Sequence, residues 1–425
     1  MSNINIKDNY IIGDLHSAAL VSKNASIDWL CLPHFDSPSI FAKLLDKKAG
    51  SFSIDTSGYS VTSKYIKDTA IVEHTFQSNN AHFLVKDFMV PVPKSVCENH
   101  FLVRKFTSLK GKTSVTVLFD PQPEYASQKP DMNFDENNLY LQASVKKDVL
   151  LLYPPKNALV AQKDKGFEIK FNLSEGEEAT VVLEYVMAGS SPLYKGQDKE
   201  KQTMDFWRMW VAKGKFFEFC RDQMVRSAIT LKLMQFYPTG ALVAAPTTSL
   251  PEEIGGVRNW DYRYVWIRDA TFTLYAFYVL GYIEEAKKFF DFIHGILKQC
   301  AKDEFDVSLF YTIEGKPVPN EQVLNYLRGY KNSNPVRIGN GAKEQFQLDV
   351  YGALIDAYYF ISKKHMEKEE LHKELIMNLV YKIRDLWQTK DNGIWEVRSG
   401  QQHFTYSKVM AWVGADRELS VWQTY

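Results

Sequence analysis

Charged and aromatic side chains are concentrated in one short segment, Gly255–Ala270. Between Arg258 and Asp269, twelve residues hold three Arg, two Asp, two Trp and two Tyr. Carboxylate and guanidinium groups form charge-assisted hydrogen bonds with hydroxyl groups, and aromatic rings supply an apolar face. The segment therefore predicts a pocket for a sugar ring. The alternative is structural, with Asp269 as the N-cap of the apolar helix that follows and the rings in the core.

A second segment, Asp391–Arg398, places a glutamate beside a tryptophan. Asp391-Asn392-Gly393 is a turn signal, so we expect Glu396 on a loop or a strand end just before the next helix. A carboxylic acid that donates a proton needs a raised pKa, and an aromatic neighbour such as Trp395 that excludes water raises it. Glu396 is thus a candidate general acid. The alternative is an ordinary solvated surface glutamate.

The elements that must position these residues change type along the chain. The first half contains short runs rich in β-branched and aromatic residues, separated by turn-forming residues such as Lys110-Gly111-Lys112. Many short strands at this spacing predict an antiparallel β-sandwich. The runs are Ile71–Phe76, His82–Met89, Phe101–Phe106, Ser114–Phe119, Val149–Tyr153, Phe167–Phe171 and Thr180–Val186.

The second half has the periodicity of amphipathic helices, with apolar residues at i, i+3, i+4 and i+7. About six or seven helices are predicted after residue 215, and six of them are Phe219–Gln235, Asp269–Leu280, Glu284–Cys300, Glu344–Lys363, Glu370–Trp387 and His403–Leu419. A linker helix is predicted at Asp198–Trp210, after the strand-breaking Gly189-Ser190-Ser191-Pro192. We therefore expect a sandwich domain at residues 1–195, a linker helix at 196–215 and a helical domain at 216–425.

Composition excludes several classes of protein. Lys plus Arg and Asp plus Glu number 51 each, so no basic excess indicates a nucleic acid or an anionic membrane as partner. Cys31, Cys97, Cys220 and Cys300 are far apart, which predicts reduced thiols and no metal site. The first thirty residues lack an apolar signal region, and no run of 18 apolar residues is present. We expect a cytoplasmic location.

Several long motifs, in order, resemble bacterial and archaeal proteins of glycoside hydrolase family 15. The resemblance extends from residue 10 to about residue 417, and the match is almost continuous from Pro238 to Ala270. The other motifs are Ile12-Gly13-Asp14, Ser17–Ser22, Ser26–Ser39, Phe119-Asp120-Pro121, Ser227–Leu233, Pro335–Asn340 and Gln347–Gly352.

The resemblance implies a fold and a chemistry. The family has an N-terminal β-sandwich followed by an (α/α)6 barrel of six helical hairpins, so the expected fold class is α+β multidomain. Its members, which include glucoamylases and trehalases, hydrolyse α-glucosides such as trehalose, maltose or malto-oligosaccharides with inversion, using one carboxylic acid and one carboxylate base. No cofactor or metal is implied. The resemblance places the acid at Glu396 and the sugar-binding groups at Tyr262, Trp266, Arg268 and Asp269, with Trp395, Arg398 and Lys408 lining the site.

The resemblance also predicts a chain that is truncated at its C-terminus. The general base of the family is a glutamate late in the barrel, beyond residue 425, and the predicted helices make about half of the twelve that a barrel needs. Unpartnered helix faces would leave apolar area in water. We therefore expect self-association or association with a missing C-terminal segment.

Three functions stay open at this point. The leading one is an inverting exo-acting hydrolase that releases glucose from α-glucosides, either trehalase-like or glucoamylase-like. A phosphorylase is a related alternative, although no Gly-rich phosphate-binding loop is present. The third is a non-catalytic sugar-binding remnant, because the loss of one member of an acid–base pair costs orders of magnitude in rate.

Overall fold

The computed structural model describes residues 5–95, 99–135, 137, 139–146, 148–300, 306–365 and 370–422. The chain divides into two compact units. The first unit consists of Met1–Pro238, Pro246–Trp260 and Val323–Val336, and the second of Thr239–Ala245, Asp261–Gln322 and Arg337–Tyr425. Cys97 lies outside the described residues, and the described cysteines Cys31, Cys220 and Cys300 form no disulfide.

Two antiparallel sheets of eight strands each make up most of the first unit. The strands are β1 (Asn9–Gly13), β2 (Ala18–Ser22), β3 (Ile27–Cys31), β4 (Ser39–Phe41), β5 (Ser51–Ile54), β6 (Ser60–Tyr65), β7 (Val72–Gln77), β8 (His82–Met89), β9 (His100–Lys110), β10 (Thr113–Asp120), β11 (Asp131–Asp135), β12 (Tyr140–Val145), β13 (Asp148–Tyr153), β14 (Leu159–Lys163), β15 (Gly166–Leu173) and β16 (Glu178–Val186). One sheet has the order β1-β2-β3-β5-β10-β15-β14, with β4 paired to β3, and the other has the order β11-β12-β13-β16-β9-β8-β7-β6.

The two sheets share one hydrophobic core. Buried side chains from both sheets form a single cluster, and Phe106 of one sheet meets Phe171 of the other with ring centroids 5.2 Å apart. Strands such as β7 and β10 alternate buried and exposed residues along their length, which is the period of a half-buried strand. The seven strands predicted from this pattern are all present.

A buried ion pair crosses this core. The guanidinium of Arg104 on β9 donates to both carboxylate oxygens of Asp87 on β8, each at 2.9 Å. It also donates to the carbonyl oxygens of Phe52 at 2.8 Å and Ala25 at 2.5 Å, which belong to the opposite sheet and its turn. Both charged side chains are fully buried. The ion pair therefore joins the two sheets through hydrogen bonds as well as through apolar contact.

Two helices and two short strands complete the main elements of the first unit. The helices are α1 (Glu200–Val211) and α2 (Arg221–Leu233), and the strands β17 (Thr248–Pro251) and β18 (Asn259–Asp261) form a small sheet. Helix α1 buries Trp207 and Trp210 on one face. Both helices correspond to predicted segments, with ends shifted by a few residues.

The second unit is mainly helical. Its helices are α3 (Ile267–Val279), α4 (Ile283–Cys300), α5 (Asp349–His365), α6 (Glu370–Leu386) and α7 (Thr405–Trp422). Its short strands are β19 (Val265–Trp266) and β20 (Phe310–Tyr311), which pair with each other, and β21 (Gln322–Val323) and β22 (Arg337–Ile338). The five predicted helices in this region are confirmed, whereas their assignment to an incomplete (α/α)6 barrel stays a prediction. Within the described part of the chain, no helix has the length and apolar character needed to span a bilayer.

Helices α5 and α7 approach each other closely because glycines lie at their contact. A Cβ atom at Gly352 on α5 would lie 2.0 Å from the carbonyl oxygen of Met410 on α7. A Cβ atom at Gly414 would lie 3.2 Å from the Cα atom of Gly352. This close packing brings the N-terminal ends of α5 and α7 together, and the candidate site lies there.

Candidate active site

Arg268 is the central cation of the candidate site. It occupies the second position of α3, whose N-cap residue is Trp266, and the side chain is buried. Its Nη1 atom donates to Oε1 of Gln347 at 2.9 Å and to Oδ2 of Asp349 at 3.1 Å. Its Nη2 atom lies 3.5 Å from Oε1 of Glu396. One guanidinium thus joins two carboxylates that are 47 residues apart in the sequence.

Asp349, the first residue of α5, is the buried carboxylate of this group. Its side chain is fully buried, and its Oδ1 atom has no hydrogen-bond partner among the described residues. Burial raises the pKa of Asp349, and the charge of Arg268 opposes the rise. The nearby Asp391 accepts a hydrogen bond from the Leu348 backbone N–H at 3.0 Å. Asp391 therefore holds the start of α5 in place.

Glu396 lies in a tight turn before α7. Its backbone N–H donates to the Gly393 carbonyl oxygen at 3.0 Å, and its own carbonyl oxygen accepts from Nε2 of Gln345 at 3.1 Å. Glu396 has a φ of 55°, in the left-handed region. Gly393 also has a positive φ, and a Cβ atom there would meet the Phe404 ring at 2.6 Å. The turn thus requires glycine at 393 and presents the Glu396 carboxylate, whose side chain is 19% exposed, to Arg268.

Aromatic rings line one side of the same region. Trp266 is buried and packs on Phe310 with ring centroids 4.3 Å apart, while Tyr262 lies 5.7 Å from Trp266. The Trp266 Nε1 atom has no hydrogen-bond partner among the described residues. A buried indole N–H usually has a partner, so this donor is suited to a ligand oxygen.

Asp269 and Tyr406 are the other titratable groups near Arg268. Asp269 is in the first turn of α3 and is exposed, so it is not the N-cap that the structural alternative required. The protein packed around Asp269 raises its pKa, and Arg268 opposes the rise. Tyr406 is at the start of α7, where burial and the charges of Asp349 and Asp269 raise the pKa of its phenol.

Three other predicted site residues occupy different surroundings. Trp395 is 84% exposed, so it does not shield Glu396 from water as the sequence argument required. Arg398 donates to Oε2 of Glu321 at 3.3 Å, beside a similar contact from Arg337. Lys408 donates to the carbonyl oxygens of Trp387 and Thr389 just after the end of α6, at 2.6 and 2.5 Å. Such contacts are typical of a cation that caps a helix C-terminus.

Part of the dense motif is structural. Arg263 and Asp261 form a fully buried pair, with Nε to Oδ1 at 2.9 Å and Nη2 to Oδ2 at 2.7 Å. Asp261 also accepts a hydrogen bond from the Gly339 backbone N–H at 3.2 Å. Only some of the charged residues that the sequence singles out therefore reach the site.

Four residues at the site were not identified as site residues from the sequence: Gln347, Asp349, Asp391 and Tyr406. Gln347 and Asp349 belong to a motif that carried the family resemblance, but no spacing rule connects them with Arg268, which is about 80 residues earlier. A search for metal sites among the described residues finds no group of three or more His, Cys, Asp or Glu suited to a metal ion.

The fold and the site define a class of protein. It has an antiparallel β-sheet unit at the N-terminus and a helical unit in which carboxylates surround one guanidinium. Residues 218–423 match the family model for glycosyl hydrolases family 15, and residues 2–207 match the model for the trehalase-like N-terminal domain. The chain belongs to glycosyl hydrolase family 15, and the resemblance inferred from its motifs is confirmed.

Several proteins that are similar to this chain are trehalases. One from Mycolicibacterium smegmatis is 34% identical over 435 residues, which cover 97% of this chain and 65% of that protein. One from Mycobacterium tuberculosis is 33% identical, with 97% of this chain and 64% of that protein covered. One from Thermoplasma acidophilum is 31% identical, with 95% and 69% covered. The chain thus spans about two thirds of the length of these relatives.

Proposed function

We propose that this chain provides the acid and the sugar-binding groups for hydrolysis of an α-glucosidic bond, with trehalose as the preferred substrate. The observation that carries the proposal is the Arg268 guanidinium held between the carboxylates of Asp349 and Glu396. The choice of trehalose is supported by the names of the relatives.

Each residue of the site has a role in this proposal. Glu396 protonates the glycosidic oxygen as the bond breaks, which is the task of the acid in this class of reaction. Arg268 and Asp269 bind hydroxyl groups of the glucose ring, and Trp266 and Tyr262 contact its apolar face. Arg398 and Lys408 are placed further from the reacting bond, because both are engaged by other protein groups.

The charge of the site suits the transition state. One guanidinium, Arg268, is accompanied by the carboxylates of Asp269, Asp349 and Asp391, besides the proton-donating Glu396. The glucosyl group becomes positively charged as the bond breaks, and preorganised negative groups stabilise such a charge most effectively in a site that excludes water. The neutral substrate gains less from these carboxylates than the transition state does, which is the condition for catalysis.

We further propose that the reaction inverts the anomeric carbon. In such a reaction a second carboxylate activates the attacking water on the opposite face of the ring, and we assign that base to no residue of this sequence. Trehalose joins two α-glucosyl units, so inversion at one carbon releases one β-glucose and one α-glucose. Retention would release two α-glucose molecules. Proton NMR of the first products therefore distinguishes the two mechanisms.

The alternative from a different class is a domain that binds sugar without turnover. The binding groups Arg268, Asp269 and Trp266 do not depend on a catalytic base. Calorimetric binding of trehalose, with no release of glucose from it, would favour this alternative over hydrolysis.

The test of the proposed function compares glucose release from trehalose and from maltose. The protein is assayed beside Glu396→Gln, which keeps the shape of the side chain, and Glu374→Gln, which changes an exposed glutamate on α6. We expect release from trehalose to exceed release from maltose, and to fall about 10²–10⁴-fold in Glu396→Gln. Full activity in Glu396→Gln would refute the assignment of the acid, and Glu374→Gln should retain wild-type activity.

A further inference from the structure

Arg268 has two different kinds of partner on its Nη1 atom. Gln347 accepts a hydrogen bond there without carrying a charge, and Asp349 accepts one with a charge. The opposite atom, Nη2, faces Glu396 at 3.5 Å. Gln347 and Asp349 are both buried, so neither is screened by bulk water. The site therefore contains a fixed series of groups: a buried carboxylate, a guanidinium and the carboxylate of the candidate acid.

We propose that Asp349 is a positioning residue that offsets the charge of Arg268, so that Glu396 can carry a proton while the guanidinium stays beside it. The inference rests on the proposed function, in which Glu396 is the acid. Asp349 acts through Arg268 and has no role in contacting the glycosidic oxygen.

The effect of Asp349 on Glu396 is electrostatic. A positive charge within about 4–6 Å of a carboxyl group favours its ionised form, by roughly 1–3 pK units. Arg268 is within that range of Glu396, and an ionised Glu396 is unable to donate a proton. The negative charge of Asp349 at 3.1 Å on the far side of the guanidinium cancels part of this effect. Arg268 can then bind a sugar hydroxyl without depriving Glu396 of its proton.

Other charged and titratable groups surround the Arg268–Glu396 pair and set the background for this effect. They are Asp269 on α3, Tyr406 on α7, and Asp391, which lies on the segment that carries Glu396 and acts on Asp349. Asp349 differs from them because it is the fully buried carboxylate that is hydrogen-bonded to the guanidinium. Its charge is therefore the one whose removal should change Arg268 most.

The test uses two matched substitutions on the two Nη1 partners. Asp349→Asn keeps an acceptor oxygen and the side-chain shape but removes the charge. Gln347→Met removes the neutral acceptor and leaves every charge in place. The pH dependence of kcat on trehalose is measured for both, together with the ¹³C NMR titration of the Glu396 carboxyl group, which is identified by its absence in Glu396→Gln.

We expect the alkaline limb of the kcat profile and the Glu396 titration midpoint to move together in Asp349→Asn, to lower pH by about one unit. Gln347→Met should keep the wild-type midpoint, even if its KM for trehalose rises. A lower kcat in Asp349→Asn with no movement of either midpoint would show a purely structural role and would overturn the inference.

The two readouts separate this inference from the proposed function. If the wild-type protein releases no glucose but the Glu396 midpoint moves in Asp349→Asn, the proposed function fails and the electrostatic role of Asp349 stands. If the wild-type protein hydrolyses trehalose and the midpoint does not move, the inference fails alone.

A second variant covers the case in which Asp349→Asn does not fold. Gln347→Glu adds a negative charge on the same side of Arg268 with little change of shape. We expect it to move the Glu396 midpoint and the alkaline limb in the opposite direction, to higher pH. A midpoint that is unchanged or lower in Gln347→Glu would overturn the inference.

Discussion

Substitution of Arg104 by methionine should destabilise the N-terminal unit strongly. Methionine keeps an unbranched side chain but removes the guanidinium from the buried Asp87, which keeps only the His74 ring, 3.2 Å away, among its described ion-pair partners. Removing one partner of a buried ion pair typically costs about 3–5 kcal/mol. The pair is fully buried on both sides, so solvent screening does not reduce this value. A loss of about 3 kcal/mol changes the folding equilibrium roughly a hundredfold. At about 2–4 °C per kcal/mol for a unit of this size, the expected fall in Tm is about 6–20 °C.

The assay is urea unfolding at neutral pH followed by far-ultraviolet circular dichroism. The matched control is Lys201→Met, which removes an exposed i,i+4 pair with Asp205 on α1, where the side chains are 84% and 48% exposed. Such pairs contribute about 0.3–0.5 kcal/mol. The double variant Arg104→Met/Asp87→Leu should recover at least about 1 kcal/mol of the loss, because neither charge of the Arg104–Asp87 pair then remains.

One result would refute this reasoning. If Arg104→Met lowers the free energy of unfolding no more than Lys201→Met does, the buried Asp87 carboxyl group is hydrated or protonated at no cost in stability. The pKa of Asp87 bears on the second possibility. Burial is the largest single effect and raises this pKa, whereas Arg104 and His74 together outweigh burial and lower it. In Arg104→Met, burial still raises the pKa of Asp87, but the largest opposing effect, the charge of Arg104, is gone.

Two further predictions concern packing and pH. Gly352→Ala should cost about 1–3 kcal/mol of unfolding free energy, because its Cβ would lie 2.0 Å from the Met410 carbonyl oxygen. The control Gly295→Ala, in open space on α4, should be neutral or stabilise by up to about 1 kcal/mol. Similar urea midpoints for the two variants would contradict this prediction. Burial is the largest single effect on the pKa of Asp14 and raises it, but His100 and His16 together outweigh burial and lower that pKa. The stability that Asp14 contributes is therefore present above about pH 4 and lost as pH falls through the folded-state pKa. Asp14→Asn should accordingly lose more free energy of unfolding at pH 7 than at pH 3. An equal loss at both pH values would refute the assignment.

The sequence predicted those elements that have one buried and one exposed face. Helix α4 (Ile283–Cys300) buries residues at helical spacing along its whole length, and the prediction agrees with it to within one residue. Strand β8 (His82–Met89) agrees at both ends. In both cases the side-chain period is itself the signal.

Two strands without that alternation were not predicted, whereas the largely buried β13 and β16 were predicted from their β-branched and aromatic residues. Strand β3 (Ile27–Cys31) is buried at every position, including Asp28 and Trp29. Buried and exposed residues therefore do not alternate along it. Strand β14 (Leu159–Lys163) lies at a sheet edge and is mostly exposed. A local pattern contains too little information in both situations, because long-range pairing decides the structure.

The candidate site was predicted only in part for a similar reason. Arg268 and Glu396 were identified from the sequence, and the structure brings them to 3.5 Å from each other. Asp349 was not identified, because its importance lies in a contact with a residue 81 positions earlier. The position of Lys408 could not be inferred either, since its contacts with the carbonyl oxygens beyond α6 depend on how α7 packs.

The backbone of Glu396 has a consequence for how this turn responds to selection. A non-glycine residue at a φ of 55° costs about 1–2 kcal/mol relative to the right-handed region, and glycine avoids this cost. In a library screened only for heat resistance, position 396 would therefore drift toward glycine or asparagine. Each such gain in heat resistance would remove the carboxylate, so selection for stability and selection for catalysis would favour different residues at position 396.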